Sequence, residues 1–103
     1  MTTYYVVIRT PGALWDPTKD TRDQALWNEH ACYMDRLFED GSVILGGPFA
    51  DGSGAMLIVK AENVAQACEL FRDDPWTANE VLVIREAKEW IIFLDGLDRR
   101  PSR

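Results

Sequence analysis

The chain has 103 residues, of which 17 are acidic and 11 basic, so its net charge is −6 and its pI is near 4.6. This charge repels phosphate backbones and anionic lipid surfaces, which argues against a nucleic-acid or membrane partner. The length suits one domain over residues 1–96 with a charged tail at 97–103, and it leaves no room for a separate cofactor-binding domain.

Neither a membrane span nor a secretory signal is visible, since no apolar run approaches the roughly 18 to 20 residues that a span needs. The two cysteines, Cys32 and Cys68, lie in separate helical patterns without CxxC or Cys/His spacing. We interpret them as small core residues in a reducing compartment rather than as a disulfide or a metal site. The sequence therefore predicts a cytoplasmic protein without a metal.

The first predicted strand, Tyr4 to Arg9, is a β-branched and aromatic run typical of a central strand. Thr21 lies three residues before Gln24, which is the spacing of a capping box, and this predicts the start of the first helix at Thr21. Gly41 ends that helix. Offsets of three, seven and ten residues place four of its side chains on one face: Trp27, His30, Met34 and Leu37.

Two adjacent strands follow the first helix. Ser42 to Phe49 is a buried type of strand that runs into Gly46-Gly47-Pro48, where backbone can approach a ligand closely. Asp51 to Gly54 is a hairpin turn that leads to a third strand, Ala55 to Ala61. These two strands should therefore be antiparallel.

Asn63 is predicted to cap a second helix, in which Val64, Ala67, Cys68 and Phe71 share a face. Asp73-Asp74-Pro75 breaks that helix, because proline disfavours helical geometry in the residue before it. The last β-rich run is Val81 to Ile84, which continues after a charged interval into Trp90 to Leu94.

The element order is strand, helix, strand, strand, helix, strand, which is the split βαβ pattern of an α+β fold. This pattern predicts a four-stranded antiparallel sheet with both helices on one face. Two helices cover only one side of such a sheet, and the strands are too apolar to leave the other side in water. We therefore expect a homodimer.

His30 is the only histidine of the chain, and a buried histidine needs partners for its ring nitrogens. Asp74 is the natural partner, because the break after the second helix lies on the same side of the sheet as the first helix. Each residue has a plainer interpretation as well. His30 could be a packing residue, and Asp74 could be a turn residue before a proline.

Aromatic residues surround this pair in the sequence pattern. Trp15, Trp27 and Trp76 could line a pocket for an aromatic molecule, or they could belong to the core or a dimer interface. The hydroxyl groups and Cys32 lack the context of a nucleophile, and Gly46-Gly47 lacks the spacing of a phosphate-binding loop.

The whole set resembles the YCII-related family over roughly residues 4 to 94. The matching residues are His30, Tyr33, Met34, Leu37 and Gly41, then Val43-Ile44-Leu45-Gly46-Gly47-Pro48, then Asp74-Pro75-Trp76. The resemblance implies a ferredoxin-like fold, dimers of the α+β-barrel kind and a His/Asp active centre, here His30 and Asp74. One relative removes chloride from a chlorinated hydroxyquinol without a cofactor.

The chain departs from the family at one position. Many members have an arginine three residues before the histidine, where this chain has Trp27. Arg9, at the end of the first strand, could supply a positive charge to the substrate instead, or it could be a surface strand residue.

These observations lead to the hypothesis of a cofactor-independent lyase or isomerase that acts on a small phenolic or enolisable molecule. His30 would shuttle the proton and Asp74 would orient the imidazole. The substrate-binding residues would be Arg9, Trp27, Met34, Gly47, Pro48 and Trp76. Three alternatives stay open: a small-molecule binding or regulatory module, a purely structural dimer, and a cofactor-free oxygenase.

Overall fold

The computed structural model describes residues 3–96, and the predicted tail at 97–103 lies outside them. The elements are β1 Thr3–Pro11, α1 Trp27–Glu39, β2 Val43–Pro48, β3 Ala55–Ala61, α2 Val64–Glu69, α3 Pro75–Ala78 and β4 Leu82–Glu89. The four strands form one antiparallel sheet in the order β2-β3-β1-β4. The predicted α+β, ferredoxin-like fold is confirmed, and β1 is a central strand.

One face of the sheet carries the core. Alternate residues of β1 and β3, among them Val7 and Val59, are fully buried against α1 and the region around α2. Leu37 of α1 and Ala67 and Phe71 of the second helical region lie in the same cluster. Both longer helices therefore cover the same face, as the split βαβ pattern predicts.

The opposite face has no helix on it in the described part of the chain. Val6, Ile8, Met56 and Ile58 point there, because strand side chains alternate between faces. Met56 is 39% exposed, and Leu45 on the neighbouring β2 is 49% exposed. An apolar surface therefore remains on this side of the sheet.

The predicted helix start at Thr21 is wrong. Thr21–Asp23 is a single 3-10 turn, and α1 begins at Trp27 after Leu26, whose φ of 63° is left-handed. Gln24 does not cap a helix. Its carboxamide accepts from the Asp16 amide at 2.9 Å and donates to the carbonyls of Asp16 and Lys19 at 2.7 and 3.0 Å. The buried amide therefore satisfies loop backbone groups that would otherwise lack partners.

The last strand also differs from the prediction. β4 runs through the charged interval as far as Glu89, and the Trp90 to Leu94 segment lies beyond it. Phe93 and Leu94 are 89% and 94% exposed. The charged interval can form the strand because β4 lies at the edge of the sheet, where charged side chains are common. The pairing ends near Trp90 because its amide already bonds to the carbonyl of Tyr4, near the start of β1.

The second helical region is only partly as predicted. Asn63 caps α2 by accepting from the Gln66 amide at 2.8 Å, as expected. Val64, however, is 47% exposed and does not share the buried face of Ala67. Asp74-Pro75 does more than end a helix, because Asp74 is the N-cap of a third, four-residue helix that the sequence pattern did not predict.

The cysteines are both free, but Cys32 is exposed rather than a core residue, and Cys68 is half-buried. Cys32 lies two residues after His30, which turns it about 200° around the helix axis and away from the sheet. Within residues 3–96, none of the helices is both long enough and apolar enough to cross a bilayer.

Candidate active site

His30 and Asp74 lie in direct contact. Nδ1 of His30 is 2.9 Å from both carboxylate oxygens of Asp74. Asp74 is completely buried, and His30 is 8% exposed. A carboxylate acceptor on Nδ1 favours the tautomer that carries its proton there and leaves Nε2 as the free base.

Local structure fixes both groups. His30 is in the first turn of α1 on its inward face, and its amide donates to the Leu26 carbonyl at 2.9 Å. The Asp74 carboxylate accepts from the Trp76 amide at 3.0 Å, as an N-cap residue does. Pro75 occupies the first helical position, which its ring geometry suits. The turn that orients Asp74 is therefore the start of α3.

Arg9 is the third member of the cluster. It points from the inward face of β1, is 1% exposed, and donates from Nη1 to Asp74 Oδ2 at 2.8 Å. Its Nη2 donates to Thr77 Oγ1 at 2.7 Å. The interpretation of Arg9 as a surface strand residue is therefore wrong. Thr77 also belongs to the cluster, and no motif in the sequence pointed to it.

Asp74 is held in its charged form. Burial is the largest influence and raises the pKa of Asp74, but the donors that surround the carboxylate outweigh it. These are the imidazole of His30, the Trp76 amide and the guanidinium of Arg9. The pKa of Asp74 therefore lies below its ordinary value, and the group is a permanent anion near neutral pH.

The imidazole is also held from the side. His30 stacks on Trp76 with ring centroids 3.8 Å apart and planes 4° apart. The indole Nε1 of Trp76 donates to the Ala25 carbonyl at 2.7 Å, which fixes the stacking ring itself. Trp27 and Trp15 lie 5.6 and 6.0 Å from Trp76, so the three tryptophans form one cluster beside His30.

A cavity of about 510 Å³ opens beside the imidazole. It brings together every residue predicted to bind substrate: Arg9, Trp27, Met34, Gly47, Pro48 and Trp76. Asp74 lies behind His30 and does not line the cavity. The substrate contacts of these residues stay predictions. Phe38 and the cation Arg22 also line the cavity, and no motif singled them out.

The free nitrogen of His30 faces this space. Within the described part of the chain, Arg9 Nε is the only buried side-chain nitrogen or oxygen that lacks a hydrogen-bond partner. His30 Nε2 also lacks a protein partner there but is not among the buried atoms, so it must be open to solvent. The ring lines the cavity, so Nε2 opens into it. A basic imidazole nitrogen in a largely apolar cavity can accept a proton from a bound molecule.

Tyr33 is the other titratable group close to the pair. Burial first, and then the charges of Asp73 and Asp74, raise the pKa of Tyr33, whose hydroxyl donates to the Leu70 carbonyl at 2.5 Å. It therefore stays protonated and serves as a structural link between α1 and the end of α2.

Within residues 3–96, no group of three or more His, Cys, Asp or Glu side chains is placed so that it could hold a metal ion.

Comparisons with known proteins agree on the fold. The model of a family described as "YCII-related domain" matches residues 1–91. A search of curated proteins found no match. Among solved structures, the chain is similar to 5-chloro-2-hydroxyhydroquinone dehydrochlorinase from Burkholderia phenoliruptrix AC1100, in complex with 2,5-dihydroxybenzoquinone. The identity is 17% and the TM-score 0.59, over 85% of this chain and 93% of that one, which shows a shared fold.

Proposed function

The chain belongs to the YCII-related family, and we propose that it catalyses a cofactor-independent lyase or isomerase reaction on a small phenolic or enolisable molecule. One observation carries the proposal. His30 is bonded through Nδ1 to a buried carboxylate, while its Nε2 is open to a cavity. This is the arrangement of a general base that can return its proton as a general acid.

The proposed first step is a proton transfer. The O–H or C–H bond of the substrate breaks, the proton passes to Nε2 of His30, and the electron pair stays on the substrate as a phenolate or enolate. Asp74 keeps the other proton of the ring on Nδ1 and stabilises the imidazolium. A positioned acid-base group of this kind contributes on the order of a hundred- to ten-thousandfold in rate.

The size and lining of the cavity support a ring-shaped substrate. Its volume of about 510 Å³ lies within the roughly 300 to 1,000 Å³ of small-molecule sites. Trp27 and Met34 offer apolar contact to a planar ring. The dehydrochlorinase of similar fold was solved with a dihydroxybenzoquinone, so hydroxylated and chlorinated benzenes are the first compounds to test.

We also propose that the protein is a homodimer joined through the apolar open face of the sheet. Met56 and Leu45, on two adjacent strands of this face, are 39% and 49% exposed. A second copy would remove this surface from water. Its two cysteines, both free, fit the cytoplasm, where thiols stay reduced.

The test is turnover of a panel of hydroxyquinols and chlorinated hydroxyquinols, followed by product analysis and chloride release. His30→Gln keeps a hydrogen-bonding side chain but cannot shuttle a proton, so we expect at least a hundredfold loss of turnover with binding retained. Cys32→Ser, exposed on the same helix, is the control and should turn over normally.

Two results would overturn the proposal. Equal turnover by the wild type and His30→Gln would remove the imidazole from the chemistry. Tight binding of these compounds by the wild type without any turnover would favour a binding or regulatory module over an enzyme.

A further inference from the structure

We propose that Arg9 is a positioning residue that acts on the substrate through Asp74 and His30, and that it suits the site to substrates that become anions when they lose a proton. The inference rests on the proposed function and deepens it. It assigns to Arg9, which also lines the cavity, a role that acts through the carboxylate bonded to the imidazole.

Both terminal nitrogens of the guanidinium group are bonded to side chains of the protein. Nη1 bonds to Asp74 and Nη2 to Thr77. Nε is buried without any acceptor, and the group lies over the ring of Phe71 at 5.2 Å. Because Nε is shielded from solvent, a substrate in the cavity cannot reach it without a rearrangement of the site. The cation is therefore directed to Asp74.

This contact fixes the position of the carboxylate. Asp74 accepts from His30, from the Trp76 amide and from Arg9, and these donors come from α1, α3 and β1. With donors from three elements, the carboxylate cannot turn away from Nδ1 of His30. The imidazole ring is then held by Asp74 at its edge and by Trp76 on its face.

Arg9 also changes the charge of the site. Asp74 with a neutral His30 alone would carry −1, but Asp74, Arg9 and a neutral His30 together carry zero. When Nε2 takes a proton, the cluster becomes +1. The remaining charged side chains at the cavity, Arg22 and Asp35, are opposite in sign and exposed, so water screens them.

A buried cluster of +1 attracts the anion that the same proton transfer creates. A phenol becomes a phenolate, and an enolisable ketone becomes an enolate. A dyad without the arginine would be neutral after the transfer and would offer the anion no net attraction. The geometry therefore favours acidic O–H or C–H substrates over those that stay neutral.

The test follows the protonation of His30 by ¹⁵N NMR, which needs no substrate and reads a single histidine. Arg9→Gln removes the cation, so we expect the ratio of imidazolium to imidazole at pH 7 to rise about tenfold. Arg9→Lys keeps the charge and should stay within about threefold of the wild type. Arg72→Gln, an arginine with a 68% exposed side chain, is the control and should change nothing.

Thr77→Asp keeps Arg9 in place and decides the matter if Arg9→Gln does not fold. The new carboxylate would offset the positive charge of the guanidinium, so the ratio of imidazolium to imidazole should rise in this variant as well. A ratio that matches the wild type in every folded variant would overturn the inference and leave Arg9 as a packing residue. Turnover is not measured here, so this result stands apart from the test of the proposed function.

Discussion

His30 lies flat against Trp76, with the two ring planes only 4° apart and the centroids at 3.8 Å. Trp76 is at the same time 1% exposed and bonded to the Ala25 carbonyl. One tryptophan therefore links the orientation of the imidazole to the packing of α1 against α3, and the two effects can be separated by mutation.

Trp76→Ala should destabilise the fold by about 3–5 kcal/mol, because it removes a fully buried indole and leaves a cavity beside His30. Trp90→Ala is the matched control. Its ring is 44% exposed, so the free energy of unfolding should change by less than about 1 kcal/mol. Urea denaturation measures both, and equal losses in the two variants would contradict the role given to Trp76.

Trp76→Phe keeps an aromatic face and should recover much of that stability. It loses the donor to Ala25, so the imidazole should be less well oriented. We therefore expect turnover to fall although most of the free energy of unfolding is retained. A variant with full turnover would mean that the indole hydrogen bond does not matter for the position of His30.

Asp74 should make the free energy of unfolding depend on pH in the acid range. Its folded-state pKa lies below the unfolded value of about 3.9, so the stability it contributes is present above that pH and is lost as the pH falls through the folded-state pKa. Asp74→Asn should cost about 3–5 kcal/mol at pH 7, because Arg9 is left buried without its counter-charge.

The measurement is denaturant unfolding between pH 7 and pH 2. The free energy of unfolding of Asp74→Asn should fall less steeply below pH 4 than that of the wild type. Asp73→Asn alters a neighbouring carboxylate with a 75% exposed side chain and should follow the wild type closely. The same acid slope in all three proteins would mean that Asp74 is not the coupled group.

Gly54 allows the hairpin turn to approach the strand that carries Arg9. A Cβ atom at position 54 would lie 2.3 Å from the Arg9 carbonyl oxygen, so Gly54→Ala must displace backbone. We expect a loss of about 1–3 kcal/mol. Gly47→Ala meets nothing within 4 Å and should be nearly neutral in thermal unfolding. Equal melting temperatures in the two variants would contradict this.

Met56→Glu tests the proposed dimer. A charge on the open face of the sheet should block a contact between two copies, so the mass measured by light scattering should fall from dimer to monomer. Val64→Glu, on the exposed side of α2, is the control and should keep the mass of the wild type. A dimer that survives Met56→Glu would place the interface elsewhere.

Periodicity predicted the parts of the fold that depend on it. The bounds of β3 are those expected, and His30 and Leu37 share the buried face of α1 because a helix repeats every 3.6 residues. The helix start was wrong because a capping box is a local signal. Gln24 donates to loop carbonyls instead, and this contact depends on the folded path of the loop rather than on local spacing.

The His30/Asp74 contact could be predicted, since the topology places both on one side of the sheet. The buried ion pair of Arg9 could not. It depends on β1 and α3 coming within hydrogen-bonding distance, and no spacing along the chain encodes that contact. The stack of His30 on Trp76 has the same origin, because the packing angle of two helices decides it.

The cluster of Arg9, His30 and Asp74 has a consequence for the order of events in folding. Asp74 is 65 residues from Arg9 and 44 from His30 along the chain. A nascent chain therefore cannot assemble the site until α3 has left the ribosome, and contacts of such separation form only after large loops close. The imidazole acquires its carboxylate and its stacking ring from one short segment, so an ordered His30 reports that β1, α1 and α3 have come together.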